Sequence, residues 1–354
     1  MPMRAAVLVA DGRIEIQDRP DPSPGPGQVL IAPAYASICG TDQHVFAGEF
    51  AGRVKYPLIQ GHEFCGRVVS AGAGVTEPRP GDRVAVDPII PCMRCPACLI
   101  GRMSGCQRLK LLGVDLDGGF ATRVVAGAGS CFPVPAGLSE RHAALAEVYS
   151  IGCHATRRAQ VDPGDVVVIL GAGKLGLAVL ENIRRTAARL VIVTDLVPER
   201  LETALALGAD EAIDVRSEDP VRRVMDLTGG AGADRVLEAV GHAKLVGPNP
   251  AEPMTQAVAM VRAAGRVVVL GQGPVPAPIA FKPFVWKEAE IIASRVSLGE
   301  FPRALAMLAE GRFHPQRLIS HVVPLERAAE AYAILADPAQ RALKVLLEIE
   351  KEPG

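Results

Sequence analysis

Residues 166–176 read Val-Val-Val-Ile-Leu-Gly-Ala-Gly-Lys-Leu-Gly, and the two halves of that stretch ask for different backbones. Residues 166–170 are continuously apolar and mostly β-branched, the pattern of a strand buried on both faces. Gly171-x-Gly173-x-x-Gly176 follows at once and opens a helical stretch over residues 174–185. After a strand and before a helix, each glycine has a physical reason. Gly171 permits the tight turn, Gly173 lets a pyrophosphate approach the backbone, and Gly176 lets the helix pack on the strand. The helix start at Lys174 and Leu175 presents unpaired N–H groups to the phosphates. Asp195 stands nineteen residues after Gly176, at the end of the next apolar run. A carboxylate there accepts hydrogen bonds from adenosine ribose hydroxyls and repels a 2′-phosphate, which predicts NAD over NADP. Arg200 is the nearby cation that works against that preference. The plain alternative is a structural turn with an acidic residue beyond it.

Outward from this unit, strand and helix alternate. Strands are predicted at 190–194, 235–240 and 266–270, and helices at 198–207, 220–227 and 254–262. This is the signature of an α/β fold with a doubly wound parallel sheet. Gly271-Gln272-Gly273 follows the last of those strands, and by itself reads as a plain turn. Upstream the texture differs: short β-like runs at 4–9, 28–32, 66–70, 82–86 and 120–125 are separated by Pro/Gly turns, as in an irregular β-rich domain. Helices at 301–310 and 325–335 and a strand at 342–348 close the chain. A length of 354 residues is too much for one ordinary core. The 38 basic and 39 acidic residues leave a formal net charge of −1, which argues against nucleic-acid or membrane-surface partners. No apolar run is long enough to span a bilayer and no signal-peptide pattern opens the chain, so a cytoplasmic location is expected.

Cys92-x-x-Cys95-x-x-Cys98-x7-Cys106 places four thiols within fifteen residues. Four soft ligands with no open position suit a structural zinc in a lobe at about residues 90–108. An iron–sulfur cluster would use the same donors, but nothing else in the sequence suggests electron transfer. Three more pieces carry ligand chemistry: Cys39 in Ile38-Cys39-Gly40-Thr41-Asp42, then Gly61-His62-Glu63, then Ala146-Glu147. Singly each has a bland reading as a core thiol, a satisfied core imidazole or a paired carboxylate. Cys65, Cys131 and Cys153 read as core thiols, and His142, His154, His242, His314 and His321 lack metal spacing.

In that order, with Pro80-Gly81-Asp82-Arg83-Val84, Gly118-Gly119-Phe120-Ala121 and Leu207-Gly208-Ala209-Asp210, the motifs resemble the zinc-containing medium-chain dehydrogenases along almost the whole chain. The resemblance implies a GroES-like catalytic domain from residues 1–152 and 297–354, with a Rossmann domain at 153–296 inserted into it. It implies a catalytic zinc held by Cys39, His62 and Glu147, with Glu63 in or beside the ligand set, and it places the loop of Gly271 and Gln272 near the nicotinamide. A carboxylate at Glu147 points to the polyol and threonine dehydrogenase branches, although Val148 stands where those branches usually have proline. The implied chemistry is hydride transfer from a secondary alcohol to the nicotinamide, with zinc as Lewis acid. Thr41 and His44 would carry the proton away, with Glu63 beside the reacting centre. The expected substrate is a polyol, sugar alcohol or sugar acid. A threonine or amino-alcohol substrate is the alternative, and a zinc-less quinone-reductase-like or non-catalytic protein a more distant one. Residues 46–55 and 281–286 are candidate substrate walls. Polyol-like relatives imply a homotetramer or homodimer, with residues 266–270 and the segment from Ala289 extending a sheet between subunits.

Overall fold

The structure is a computed structural model that describes residues 2–241, 252–273, 276–277 and 279–350; His242 lies outside them. The chain divides into two compact units, Met1–Glu147 with Leu298–Gly354, and Val148–Ser297. Among the described residues no helix is long and apolar enough to cross a membrane.

The second unit is built on a six-stranded sheet in the order Glu211–Asp214, Leu190–Asp195, Val166–Leu170, Ala233–Glu238, Val261–Val269, Glu290–Ala293. Every pairing in it is parallel. Val166–Leu170 is buried throughout because strands flank it on both edges and apolar side chains cover it, as its unbroken hydrophobic run requires. The chain order reverses at this strand, which makes its carboxyl end the switch point where such sheets take ligands. The predicted helices appear as Lys174–Ile183, Pro198–Ala206, Pro220–Leu227 and Pro253–Met260. Two expectations need correction. Residues 261 and 262 belong to the strand Val261–Val269, whose irregular register against Ala233–Glu238 admits Ala264 at φ +53°. That strand is also interior; the edge on its side of the sheet is Glu290–Ala293.

In the first unit a seven-stranded sheet centres on Gln28–Ser37, which pairs antiparallel with Glu63–Ala71 on one side and Lys344–Glu348 on the other. The two ends of the chain therefore meet across one strand, around a single core that includes Ile31, Phe64, Val84, Val345 and Leu347. The predicted strand over 120–125 shifts to Val124–Gly127. Its first residues instead turn back on the Gly61 segment, with Gly119 N–H donating to Gly61 O at 2.7 Å and Phe120 N–H to Gln60 O at 3.0 Å. Residues 91–109 form a lobe closed at its base by the short ladder Ile89–Ile90 with Lys110–Leu111.

Candidate functional site

Cys39 caps the helix Gly40–Phe46 just beyond the central strand. His62 and Glu63 stand where the neighbouring strand Glu63–Ala71 begins. Gly61 can precede them because it sits at φ +94° with the Phe120 ring where a Cβ would be. The register Ser37↔Glu63 then brings the two segments together. One ligand atom each from Cys39, His62 and Glu63 lies within 4.8 Å of the others, and His62 and Glu63 are buried. Glu147 is buried in the first turn of the helix Ala146–Ala159 but does not join that three-residue group. It is close enough to be felt there: burial, and then the Glu63 carboxylate, push its carboxyl up to about 8, against the pull of His62 and Lys344. A thiol, an imidazole and a carboxylate within reach of one another, with a second buried carboxylate felt nearby, are the donor types zinc takes, and a divalent zinc ion fits them.

Asp42, a residue inside the first motif that sequence reasoning left without a role, organises the cluster. Its Oδ2 accepts the Cys39 N–H at 2.7 Å, and its Oδ1 lies 3.4 Å from His62 Nδ1. That turns the other ring nitrogen of His62 toward Cys39. Burial works against charge on His62, but Asp42 and Cys39 outweigh it and hold the imidazole pKa well above its ordinary value. Gln60 links onward, donating to Asp42 O at 2.9 Å and accepting from Tyr332 Oη at 2.8 Å. Two further residues missed from sequence are Ser37 and Lys344, both buried and both hydrogen-bonded to Glu63 Oε2. The signal for Lys344 was a lysine inside the apolar run 342–347.

Thr41 and His44 lie three residues apart on the helix Gly40–Phe46, and so on one face. His44 is partly exposed, with Nδ1 2.7 Å from Glu49 Oε2. In the lobe, ligand atoms of Cys92, Cys95, Cys98 and Cys106 all lie within 4.8 Å of one another. Four thiolates about 2.3 Å from one ion stand about 3.8 Å apart, so the group fits tetrahedral zinc. Backbone N–H groups of Cys98 and Gln107 point at the Cys95 sulfur and hold its thiol down to about 6; burial pushes Cys98 up to about 12. Cys65, Cys131 and Cys153 are buried apart from both groups.

In the second unit Gly171, at φ +96°, makes the turn after Val166–Leu170, and its N–H donates to Thr194 O at 2.8 Å. A Cβ on Gly176 would fall 1.8 Å from Gly171 O, so the helix could not seat with any larger residue. A Cβ on Gly173 would meet nothing within 4 Å, which leaves open space at the helix start beside Lys174 and Leu175. That cradle fits a pyrophosphate. Asp195 ends the adjacent strand and braces the turn, accepting Ala172 N–H at 2.7 Å and Val197 N–H at 2.9 Å. Arg200 follows in the first turn of the helix Pro198–Ala206. Gly271 and Gln272 lie at the carboxyl end of Val261–Val269, pressed against Gly241 and the buried carboxylate of Glu238.

Residues 25–136 match the family described as the alcohol dehydrogenase GroES-like domain, and residues 175–310 the family described as zinc-binding dehydrogenase. The sorbitol dehydrogenase of Bacillus subtilis (strain 168) is 32% identical over 351 residues, 98% of this chain and 97% of its own length. An alcohol dehydrogenase structure from Escherichia coli CFT073, complexed with NADH, has a TM-score of 0.90 at 30% identity and covers 98% of this chain and 100% of that one. A zinc-binding dehydrogenase structure from Sinorhizobium meliloti 1021, bound to NADP, has a TM-score of 0.90 at 30% identity and covers 98% and 99%. Agreement of both ends and the middle of the sequence with these proteins, together with two clusters of zinc-type donors, places the chain in the zinc-containing medium-chain alcohol dehydrogenase family.

Proposed function

We propose that the chain oxidises a secondary alcohol of a polyol, sugar alcohol or sugar acid, with NAD as hydride acceptor and two zinc ions per chain. The observation that carries this reading is the group of Cys39 with the buried His62 and Glu63, a thiol–imidazole–carboxylate set rather than a second cysteine site. The similarity to a sorbitol dehydrogenase supports the substrate class. Cys39, His62, Glu63 and Glu147 would hold the catalytic ion, and Cys92, Cys95, Cys98 and Cys106 the structural one. Zinc supplies Lewis-acid polarisation of the alcohol oxygen, and the nicotinamide takes the hydride. The chain's own part is to receive the proton. The Thr41 hydroxyl accepts it from the alcohol, and His44, steadied by Glu49, passes it to solvent. Gly171, Gly173, Lys174, Leu175 and Gly176 would cradle the pyrophosphate, and Gly271 and Gln272 would stand beside the nicotinamide half. The Asp195 carboxylate favours ribose hydroxyls over a 2′-phosphate, with Arg200 softening the preference. The domain boundaries proposed for catalysis are residues 1–152 with 297–354, and 153–296.

The chain is further proposed to be a cytoplasmic homodimer or homotetramer. The sheet edge Glu290–Ala293 and the exposed Phe281, Val285 and Trp286 on the preceding helix support assembly through that side.

The test is cofactor reduction across polyols, aldonates, cyclitols and hydroxy amino acids, with NAD and with NADP, for the native protein, the chelated protein and Cys39→Ala. Turnover is expected on polyols or aldonates with NAD, and a loss of about a thousandfold or more on chelation or in Cys39→Ala. Turnover concentrated on hydroxy amino acids would move the chain to the threonine-type chemistry, and activity indifferent to chelation and to Cys39 would defeat the zinc reading. A higher kcat/KM for NADP would remove Asp195 from its assigned role.

A further inference from the structure

Glu63 offers two carboxylate oxygens, and the fold treats them differently. Oε2 accepts hydrogen bonds from both Ser37 Oγ and Lys344 Nζ. Oε1 is buried with no hydrogen-bond partner among the described residues, and Glu63 is the carboxylate in the group with Cys39 and His62. Lys344 also donates to Ser37 Oγ at 3.0 Å, so the three side chains form a closed triangle with no exposed member.

Strand order explains the meeting. Ser37 is the register partner of Glu63 on one side and of Leu346 on the other. Ile38 N–H donates to Val345 O at 3.0 Å, which carries the Lys344 strand past the segment leading into Cys39. An ammonium here is not core filling. Val345, Leu346 and Leu347 show what this strand buries when packing alone decides, and a buried charge is costly unless it is paired.

We propose that Lys344, seconded by Ser37, is a positioning residue that clamps Glu63 by Oε2, so that Oε1 alone is offered to a metal held by Cys39 and His62. This rests on the catalytic-zinc reading above. A carboxylate free to turn can chelate with both oxygens and occupy the coordination position an alcohol needs. The clamp prevents that. Its positive charge also offsets one carboxylate, so the metal is held less tightly than the bare donor set would hold it. Lys344 touches neither substrate nor cofactor in this scheme; it acts through Glu63.

The test uses the full-length protein with zinc kept in the four-cysteine lobe and cobalt placed at the Cys39 group. Lys344→Met, Lys344→Arg, Ser37→Ala and the double variant Lys344→Met/Glu63→Gln are compared with the native chain. The readouts are the visible cobalt spectrum, the rate of metal release to a chelator, and kcat. Lys344→Met is expected to change the intensity and position of the cobalt bands, to slow metal release about tenfold or more, and to lower kcat. Lys344→Arg restores the native spectrum, Ser37→Ala shifts it partway, and the double variant loses the slow release because the carboxylate is gone. Native spectra and release rates in Lys344→Met, or the same change in the double variant as in the single one, overturn the clamp. Should Lys344→Met fail to fold, Ser37→Ala decides: an unchanged spectrum and release rate overturn the clamp, a partial shift supports it. A native chain that binds no metal at Cys39 overturns the zinc reading itself, which the variants do not enter.

Discussion

His62 can serve as a ligand only if its ring is held in one orientation and its free nitrogen stays available. Asp42 provides both, from a fully buried position 3.4 Å from Nδ1. The same carboxylate fixes the Cys39 backbone, so one residue sets the aim of two ligands. Asp42→Asn keeps the shape and removes the charge. Lost outer partners of ligating histidines typically cost about 10- to 100-fold in metal affinity or activity. That loss is expected in zinc affinity at the Cys39 group, measured by chelator competition, while zinc in the cysteine lobe is retained. A second residue-scale prediction concerns Asp87, whose carboxyl is pushed up to about 6 by burial and then by Glu300, while Ile89 N–H bonds to it at 3.2 Å. Between the ordinary aspartate value and about 6, the native chain binds more protons than the unfolded one. Stability therefore falls as pH rises through that window, by about 2–3 kcal/mol at most, and the cost persists above it. Asp87→Asn keeps an acceptor for Ile89 and should stabilise the chain at pH 8 but much less at pH 4 in denaturant titrations. A gain of equal size at both pH values would count against the assignment.

Elements differed in how openly the sequence announced them. Val166–Leu170 and Pro220–Leu227 emerge with the predicted bounds because a buried parallel strand and a Pro-started amphipathic helix carry strong local patterns. Residues 120–123 were misread as the start of a strand because the turn they continue serves another segment: Gly118 and Gly119 make room for Gly61 and Phe64, which no local periodicity records. Glu211–Asp214 went unread because a four-residue, polar-rich edge strand carries little alternation, whereas Arg13–Arg19 does alternate, with Ile14 and Ile16 set between polar residues, and was passed over. The metal groups show the same contrast. The cysteine lobe was legible because all four ligands lie in one short run. Ser37 and Lys344 were not, since strand register brings them to Glu63 from opposite ends of the sequence, and Asp42 was passed over because its partner His62 lies on a separate segment. That lobe also has the clearest element-scale prediction. It rests on a two-pair ladder, and its buried side chains are chiefly the thiols. Metal binding and local folding are then one event. Cys95→Ser should release one zinc per chain, lower the thermal midpoint by several degrees (a change of a few kcal/mol) and open 92–108 to protease first. Unaltered protease resistance in the metal-depleted lobe would show that packing alone holds it.

For the whole molecule, the question is what closes the open side of the parallel sheet. Glu290–Ala293 pairs with Val261–Val269 alone among the described strands, and its two isoleucines are only half-buried. An edge strand without a strand partner on its outer side is a place for another strand. Beside it in sequence, Phe281, Val285 and Trp286 expose 67%, 67% and 77% of their surface, far more than isolated surface apolar residues need explain. A two-fold axis that placed two such edges antiparallel would continue the sheet through both chains and bury both apolar helices, a self-complementary closed arrangement. The chain is therefore expected to sediment as a dimer or a multiple of one. Ile291→Lys combined with Trp286→Glu puts charges on both the edge and the helix. It should shift the sedimentation coefficient toward the monomer while each chain still binds two zinc ions, because all eight proposed ligands belong to the other compact unit. A variant that sediments like the native protein would place the subunit contact elsewhere. One that loses zinc together with assembly would mean that the metal-bearing unit depends on its partner.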